Sequence, residues 1–498
     1  MSKFKVTNEG VLKLLNDLNP AKAAGPDGLP SRILKLLANQ IAPVLTEIFN
    51  CSLRSGELPE DWKKANITPI FKKGEKVDPK NYRPVSLTSI CCKILEHIVH
   101  SQVMHHLDNH QILSDYQHGF RKRRSCDTQL VLTVDDLASS LDKRKQVDVV
   151  ILDFSKAFDT VPHSRLINKL CYYGINKELV GWIKAFLCGR EQKVVLEGQS
   201  SSFLPVDSGV PQGTVLGPLL FLLYINDLPD NLKSTSTRLF ADDCLLYKTI
   251  STTKDSEDLQ KDLDALNAWQ NKWQMRFNSS KCYVMHISSG RSTTNFSYKL
   301  GGQTLQTVHS NPYLGIHLQD NLKWDTQVAH ATTKASRVLG LIKRNLSNCT
   351  EQLKATAYTS LVRPHLEYAT TAWDPYLQKH CNQLERVQRN AARFVTHNYS
   401  KTEGTVTKLL RDLHWTSLQN RRSASRLTLL YKINQNLIDI PKENFLKPVT
   451  LQGLRRMNTQ NFQQPACRIN AYKYSFFPRT VKEWNMLPEG TVNANEIV

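Results

Sequence analysis

"RLFADDCLLYK", residues Arg238 to Lys248, sets two adjacent carboxylates, Asp242 and Asp243, between apolar stretches that read as two short strands joined by a turn. Ionised neighbours repel, and burying either one without a partner is costly or drives it to take up a proton. A bound cation removes that cost. The chain contains a second such pair, Asp135 and Asp136, in "LVLTVDDLASSLDK". There the spacing predicts an amphipathic helix with both carboxylates facing water, so an Asp pair alone proves nothing.

Working outward, "VDVVILDF" is a run of β-branched and apolar residues whose strand delivers Asp153 at its tip, ahead of the helical pattern of Leu166, Ile167 and Leu170. "SGVPQGTVLGPLLFLLYINDL" reads as a Gly/Pro loop entering an apolar helix, and "EDLQKDLDALNAWQNKWQMRF" as an amphipathic helix; "KCYVMHI" and "YLGIHL" are short strands. Adjacent strands of one sheet would bring Asp153 to Asp242 and Asp243. Three converging carboxylates form an oxygen-rich site for hard divalent ions, and Mg²⁺ favours such sites beside substrate phosphates. Two ions roughly 3.5–4 Å apart stabilise both the attacking and the leaving oxygen in phosphoryl transfer.

Upstream, residues 6–59 read as helices around a Gly/Pro turn, "KKANITPIFKKGEKVDPKNYRP" as a hairpin around a basic loop, and "SICCKILEHIVHSQVMHHLDNH" as a helix. From about Asn321 onward the pattern is nearly all helical. At 498 residues the chain is too long for one ordinary core, and its composition, 40% hydrophobic and 22% charged, is that of folded domains.

The longest purely apolar run, Leu219 to Ile225, falls far short of the ~20 residues that span a bilayer, and the N-terminus lacks the apolar segment of a signal peptide. The expectation is an intracellular protein, nuclear or in a cytoplasmic ribonucleoprotein, with no membrane partner and no secretion. Eleven scattered cysteines without a C-x2-C pair argue against a zinc module or a disulfide framework. The net charge of +20 favours a polyanion as partner, and residues 331–498 hold 25 Lys and Arg against 11 Asp and Glu, or +14 of it. The last third is expected to present a basic, nucleic-acid-binding surface.

"VVILDFSKAFDTVPHSRLINKL", "SGVPQGTVLGPLLFLLYINDL", "LFADDCLLY", "NSSKCYVMHI" and "YLGIHL" resemble, in order, the successive motifs of reverse transcriptases, in the version of non-LTR (LINE) retrotransposons and particularly of jockey-like elements. "NPAKAAGPDGLPSRILK", "ITPIFKKGEKVDPKNYRPVSLTSICCKILE" and "QHGFRKRRSCDTQL" match that group's fingers motifs; "LVRPHLEYATTAWDP" and "SFFPRTVKEWNMLP" extend the likeness more loosely. The resemblance implies an α+β right-hand polymerase: an N-terminal fingers extension over residues 1–50, fingers and palm over 51–320, and a helical thumb with a basic C-terminal region over 321–498. It implies an RNA-directed DNA polymerase that extends a primer 3′-OH with dNTPs. The partners would be an RNA template and a DNA primer or target DNA, and the cofactor two Mg²⁺ ions, which Mn²⁺ can replace.

The resemblance also assigns roles. Asp153 and Asp242 would bind the metals, Asp243 would complete the acidic cluster, and the Phe154 carbonyl would be a further ligand. Phe158, five residues after Asp153, resembles the steric gate against a ribose 2′-OH, although a core Phe on a helix would look the same. Gln212 and Gly213 resemble the turn beneath the template–dNTP pair, unless they merely start a helix. Lys72 or Lys73, with Arg83, resembles the cations on the triphosphate. Lys281 stands where the motif lysine protonates pyrophosphate, with an ordinary surface lysine as the equal alternative. Arg386, Arg389 and Arg393, spaced to share a helix face, and Arg421 and Arg422 would line a nucleic-acid track.

Two competing readings stay open on sequence: a nucleic-acid-binding remnant without activity, and an RNA-dependent RNA polymerase, which shares the metal chemistry but lacks an aromatic gate. Complete jockey-like elements also carry an N-terminal endonuclease. The sequence opens at "MSKFKVTNEG", almost at the polymerase's own edge, and the expectation is a truncated element, a fragment of a gene model, or a polymerase that depends on nicks from an endonuclease supplied elsewhere or missing.

Overall fold

The computed structural model describes residues 1–290, 294–449 and 460–493. Two sheets organise it. In the first, β1 (Lys64–Phe71) pairs antiparallel with β2 (Tyr82–Leu87) and parallel with β4 (Arg190–Leu196), after β3 (Gln146–Leu152) has left for the second sheet; β5 (Gln199–Ser200) and β6 (Leu204–Val206) fold back on β4. The basic loop 72–81 joins β1 to β2, as the alternation of that segment predicts.

The second sheet carries the acids. Its order is β12-β9-β3-β8-β7, built from β7 (Ser236–Phe240), β8 (Asp243–Ile250), β9 (Tyr283–Ile287) and, past a short ribbon of β10 (Lys299–Leu300) and β11 (Gln303–Thr304), β12 (Gln306–Thr307). All pairings are antiparallel except β12 with β9. Every residue of the central β3 is buried. The period of two explains why "VVIL", Val149–Leu152, is a continuous apolar run: both faces of the sheet are covered. Val150 and Leu152 of β3, with Cys244, Leu246 and Val284, face one core; Val147, Val149 and Ile151, with Leu245, Tyr247, Met285 and Ile287, face another.

The first core is filled by the helices Ala38–Ser55, Ile90–Asn109, His163–Tyr172, Lys177–Leu187, Leu216–Ile225 and Thr253–Trp273. Leu216–Ile225 is apolar on every side and is accordingly buried on every side. The second core lies under the helices Cys126–Asp142, Asp325–Asn345, Gln378–Val395, Leu418–Asn434 and Phe476–Trp484. "YLGIHL" forms a hairpin, β13 (Ser310–Tyr313) and β14 (Ile316–Gln319), turning at Leu314 and Gly315, both with positive φ.

This architecture is mixed α and β, and it corrects two expectations. The boundary at residue 50 falls inside the helix Ala38–Ser55, whose Phe49 is fully buried in the first core. The C-terminal helices share the second core with one face of the sheet. Asp135 does not face water. It is 6% exposed and its Oδ1 has no hydrogen-bond partner, while Asp136 binds Arg238 (2.5 Å) and the Tyr247 hydroxyl. Among the described residues no helix is long and apolar enough to cross a membrane.

Candidate active site

β7 and β8 pair Phe240 with Asp243, which leaves Ala241 and Asp242 as a two-residue turn. Ala241 sits at φ 51°, in the left-handed region that costs an L residue roughly 1–3 kcal/mol. β3 and β8 pair Leu152 with Cys244, so one further step in the same register sets Asp153 across from Asp243. The three acids meet at this sheet end.

On its other side the chain beyond β3 is held by a bridge between Phe154 and Phe277, with the Asn278 N–H donating to the Asp153 carbonyl (2.7 Å) and the Ser155 N–H to the Arg276 carbonyl (2.8 Å). In that pattern the peptide groups of Phe154 itself point away from Phe277, toward the β8 side. Its ring is fixed by stacking on Phe277, centroids 4.4 Å apart. Lys281 completes the rim, with Nζ 3.7 Å from Asp153 Oδ2.

Burial raises the Asp242 carboxyl above its ordinary range; its own backbone N–H opposes this, Asp153 adds to it, and Arg83 and Lys72 pull it back. Asp243 reaches solvent at its tip, yet burial followed by repulsion from Asp242 and Asp153 pushes it up to about 6. The site is short of positive charge. Among the described residues no three His, Cys, Asp or Glu side chains stand together closely enough, as they are placed, to hold a metal ion. The donor set nevertheless fits a hard divalent ion, since it offers carboxylates and a peptide carbonyl and no soft ligand.

The three candidate triphosphate cations divide. Lys72, exposed on the basic loop, and Arg83 on β2 act on Asp242, whereas Lys73, equally exposed on that loop, is not among the charges that act on it. Phe158, half-buried in a 3₁₀ turn, stacks on Phe221 at 4.3 Å and meets Phe120 edge-on at 6.3 Å. Its carbonyl accepts from the Val210 N–H (2.7 Å), which ties it to the "VPQG" loop. There Gln212 donates to Asp159 Oδ1 (2.9 Å), and its carbonyl accepts from the Ser86 N–H (2.7 Å). Gly213 has φ 105°, and a Cβ on it would lie 2.7 Å from the Ser86 carbonyl oxygen, so glycine is needed here to let the loop lie on β2.

Arg386 and Arg389 are exposed and Arg393 half-buried along the helix Gln378–Val395, as their spacing predicts. Arg386 lines a groove of about 590 Å³ with Arg337, Arg344 and Asn390. Arg422 is a correction. It is 1% exposed, its Nε donates to Asp374 at 2.6 Å, and Arg426 and Arg479 converge on the same carboxylate, so it holds the second core together and cannot reach a nucleic acid. Arg421 is likewise engaged, by both oxygens of Glu367. Part of the C-terminal charge is therefore internal.

Two residues at the site escaped the sequence reading. Gln117 and Gly119, within "QHGFRKRRSCDTQL", lie directly against the Ala241–Asp242 turn. The motif carried the likeness to fingers, but nothing in its spacing pointed at a turn more than a hundred residues away.

The family model for reverse transcriptase (RNA-dependent DNA polymerase) matches residues 70–318. The chain is 30% identical, over 78% of its length, to the RNA-directed DNA polymerase from mobile element jockey of Drosophila melanogaster. It is 28% identical over 84% of its length to the probable RNA-directed DNA polymerase from transposon BS, and 28% over 75% to that from transposon X-element, both of the same fly. The chain spans 44%, 48% and 42% of these three curated relatives, so under half of each.

Proposed function

Because this chain belongs to the reverse transcriptase (RNA-dependent DNA polymerase) family, we propose that it copies an RNA template into DNA by adding dNTPs to a primer 3′-OH, as the polymerase of a jockey-like element. The observation that carries the reading is the meeting of Asp153 with the Asp242–Asp243 turn at one end of the sheet, beside Lys72 and Arg83. Divalent ions held there by Asp153, Asp242 and the Phe154 carbonyl, with Asp243 behind them, would supply positive charge to the attacking and leaving oxygens.

The chain's own residues do the rest. Arg83 and Lys72 hold the triphosphate with its α-phosphate toward the acids, and in-line attack by the primer oxygen forms one P–O bond as the bond to the β-phosphate oxygen breaks. The hydroxyl proton leaves to solvent. Pyrophosphate departs with a proton from Lys281, which must first release Asp153. Phe158, backed by Phe221, closes the space a ribose 2′-OH would need. Gln212 and Gly213 support the template–dNTP pair, and their loop is tied to β2 through Ser86, so that the two move together.

In this reading the β1–β2–β4 sheet is the fingers, the acid-bearing sheet the palm, and the helices after residue 320 the thumb and a basic extension. The duplex lies along Arg386, Arg389 and Arg393.

The test is extension of a DNA primer on an RNA template by the purified chain. Extension with Mg²⁺ or Mn²⁺ that stops with EDTA is expected; none with any divalent ion would overturn the reading. In the same assay Phe158→Val should raise the use of rNTPs relative to dNTPs, and an unmoved ratio in a folded variant would place the gate elsewhere.

A further inference from the structure

Gln117 is 4% exposed and spends its whole amide on the neighbouring backbone. Its Oε1 accepts from the Ala241 N–H (2.8 Å) and the Gly119 N–H (2.7 Å), and its Nε2 donates to the Ala241 carbonyl (3.3 Å). Both polar groups of the one left-handed residue in the turn are thus held by one side chain. Gly119 closes the contact: a Cβ there would lie 2.2 Å from the Ala241 nitrogen. The segment is anchored independently of β8, because the Leu239 N–H donates to the Tyr116 carbonyl (3.0 Å) and the His118 N–H to the Leu239 carbonyl (2.9 Å), so residues 116–118 extend the free edge of β7. Arg124 binds the Gln117 carbonyl (3.1 Å) from behind.

A two-residue hairpin turn calls for positive φ at its first central position, which suits Gly or Asn, so alanine there is strained and needs its surroundings to hold it. Relaxation would swing the next residue, Asp242, away from Asp153. We propose that Gln117, seated by Gly119, is the positioning residue that locks the Ala241–Asp242 turn and so keeps the Asp242 carboxylate aimed at the acid cluster. The proposal rests on the polymerase reading above.

The experiment compares the full chain with Gln117→Met, which keeps the volume and removes all three hydrogen bonds, and Gln117→Glu, which keeps the acceptor. Gly119→Ala forces the turn from the other side, and Asp242→Asn is the control. Gln117→Met is expected to lower kcat by about 100-fold, the cost of a displaced catalytic group, and to raise the Mg²⁺ concentration for half-maximal extension. KM for dNTP and the affinity for primer–template should stay within a few-fold. Gln117→Glu should recover much of the rate, and Gly119→Ala should resemble Gln117→Met.

Free Mn²⁺ measured by electron paramagnetic resonance, with a chain-terminated primer and dNTP bound, should show weaker binding in Gln117→Met without any turnover. Wild-type kcat and Mn²⁺ binding in folded Gln117→Met would overturn the proposal. So would wild-type kcat and Mn²⁺ binding in Gly119→Ala, should Gln117→Met not fold. If Asp242→Asn itself extends primers normally, the polymerase site assignment fails instead, and the two failures are distinguishable.

Discussion

Asp135–Asp136 and Asp242–Asp243 are the same dipeptide in two settings. On the helix Cys126–Asp142, neighbouring side chains diverge by ~100°, so Asp136 reaches Arg238 and Tyr247 while Asp135 is left against the core. In the turn between β7 and β8 the two carboxylates stay together and face a third, Asp153. Burial pushes acids up in both places, Asp135 to about 7 and Asp243 to about 6, so a perturbed carboxylate does not by itself mark a site. What separates the two is convergence. Only the turn gathers carboxylates from two strands beside cations, Lys72 and Arg83, that form no salt bridge with them among the described residues.

The comparison breaks if the two pairs behave alike on mutation. Asp242→Asn should cut primer extension by at least roughly a thousand-fold, of the order expected when a preorganised charge is lost, and leave the affinity for an RNA–DNA hybrid largely intact. Asp136→Asn should lose stability through Arg238 and Tyr247, and its extension rate per folded molecule should stay within a few-fold.

The helix pair can be sharpened by pH. Desolvation first, and Asp136 second, hold the Asp135 carboxyl well above its ordinary value. Its protonated form is favoured in the folded state, so this contribution to stability is complete below about pH 4 and is lost as pH rises through about 7. Asp135→Asn should therefore be more stable than the parent by roughly 1–3 kcal/mol near pH 7.5, with the gap closing toward pH 4. Urea unfolding at the two pH values checks it; a gap of the opposite sign would mean that Asp135 is paired and ionised.

The arginines offer the smallest effect and the same contrast between a free group and a captive one. Charge reversal at Arg386, Arg389 and Arg393 should weaken hybrid binding about tenfold and lower the slope of log K against log salt by roughly two, near 0.7–0.9 per lost phosphate contact. Arg422→Ala, which removes one of the three guanidiniums that meet Asp374 and leaves a void in the core, should lower the unfolding temperature and leave that slope alone. Titration of a labelled hybrid across a salt series reads both.

Much of this was legible in the sequence for a physical reason. Strand period, turn residues and acid placement are local signals, and "VDVVILDF", "LFADDCLLY" and the long helices fold as their patterns predict. Residues whose meaning depends on a distant partner were not legible. The pattern around Asp135 and Asp136 is amphipathic, yet the helix is covered on both sides, because the C-terminal helices share its core. Arg422 looked like its exposed neighbours in composition and differs only through Asp374, 48 residues earlier. Gly213 announces an unusual backbone, but that it must lie on Ser86 emerges only when the two sheets are placed.

The most direct test of the central claim counts bound metal. With a chain-terminated DNA primer on an RNA template and dNTP present, the parent chain should bind two Mn²⁺ ions by electron paramagnetic resonance. Asp136→Asn should bind the same two, and Asp242→Asn fewer or far more weakly. Two ions held with unchanged affinity by Asp242→Asn would contradict the account.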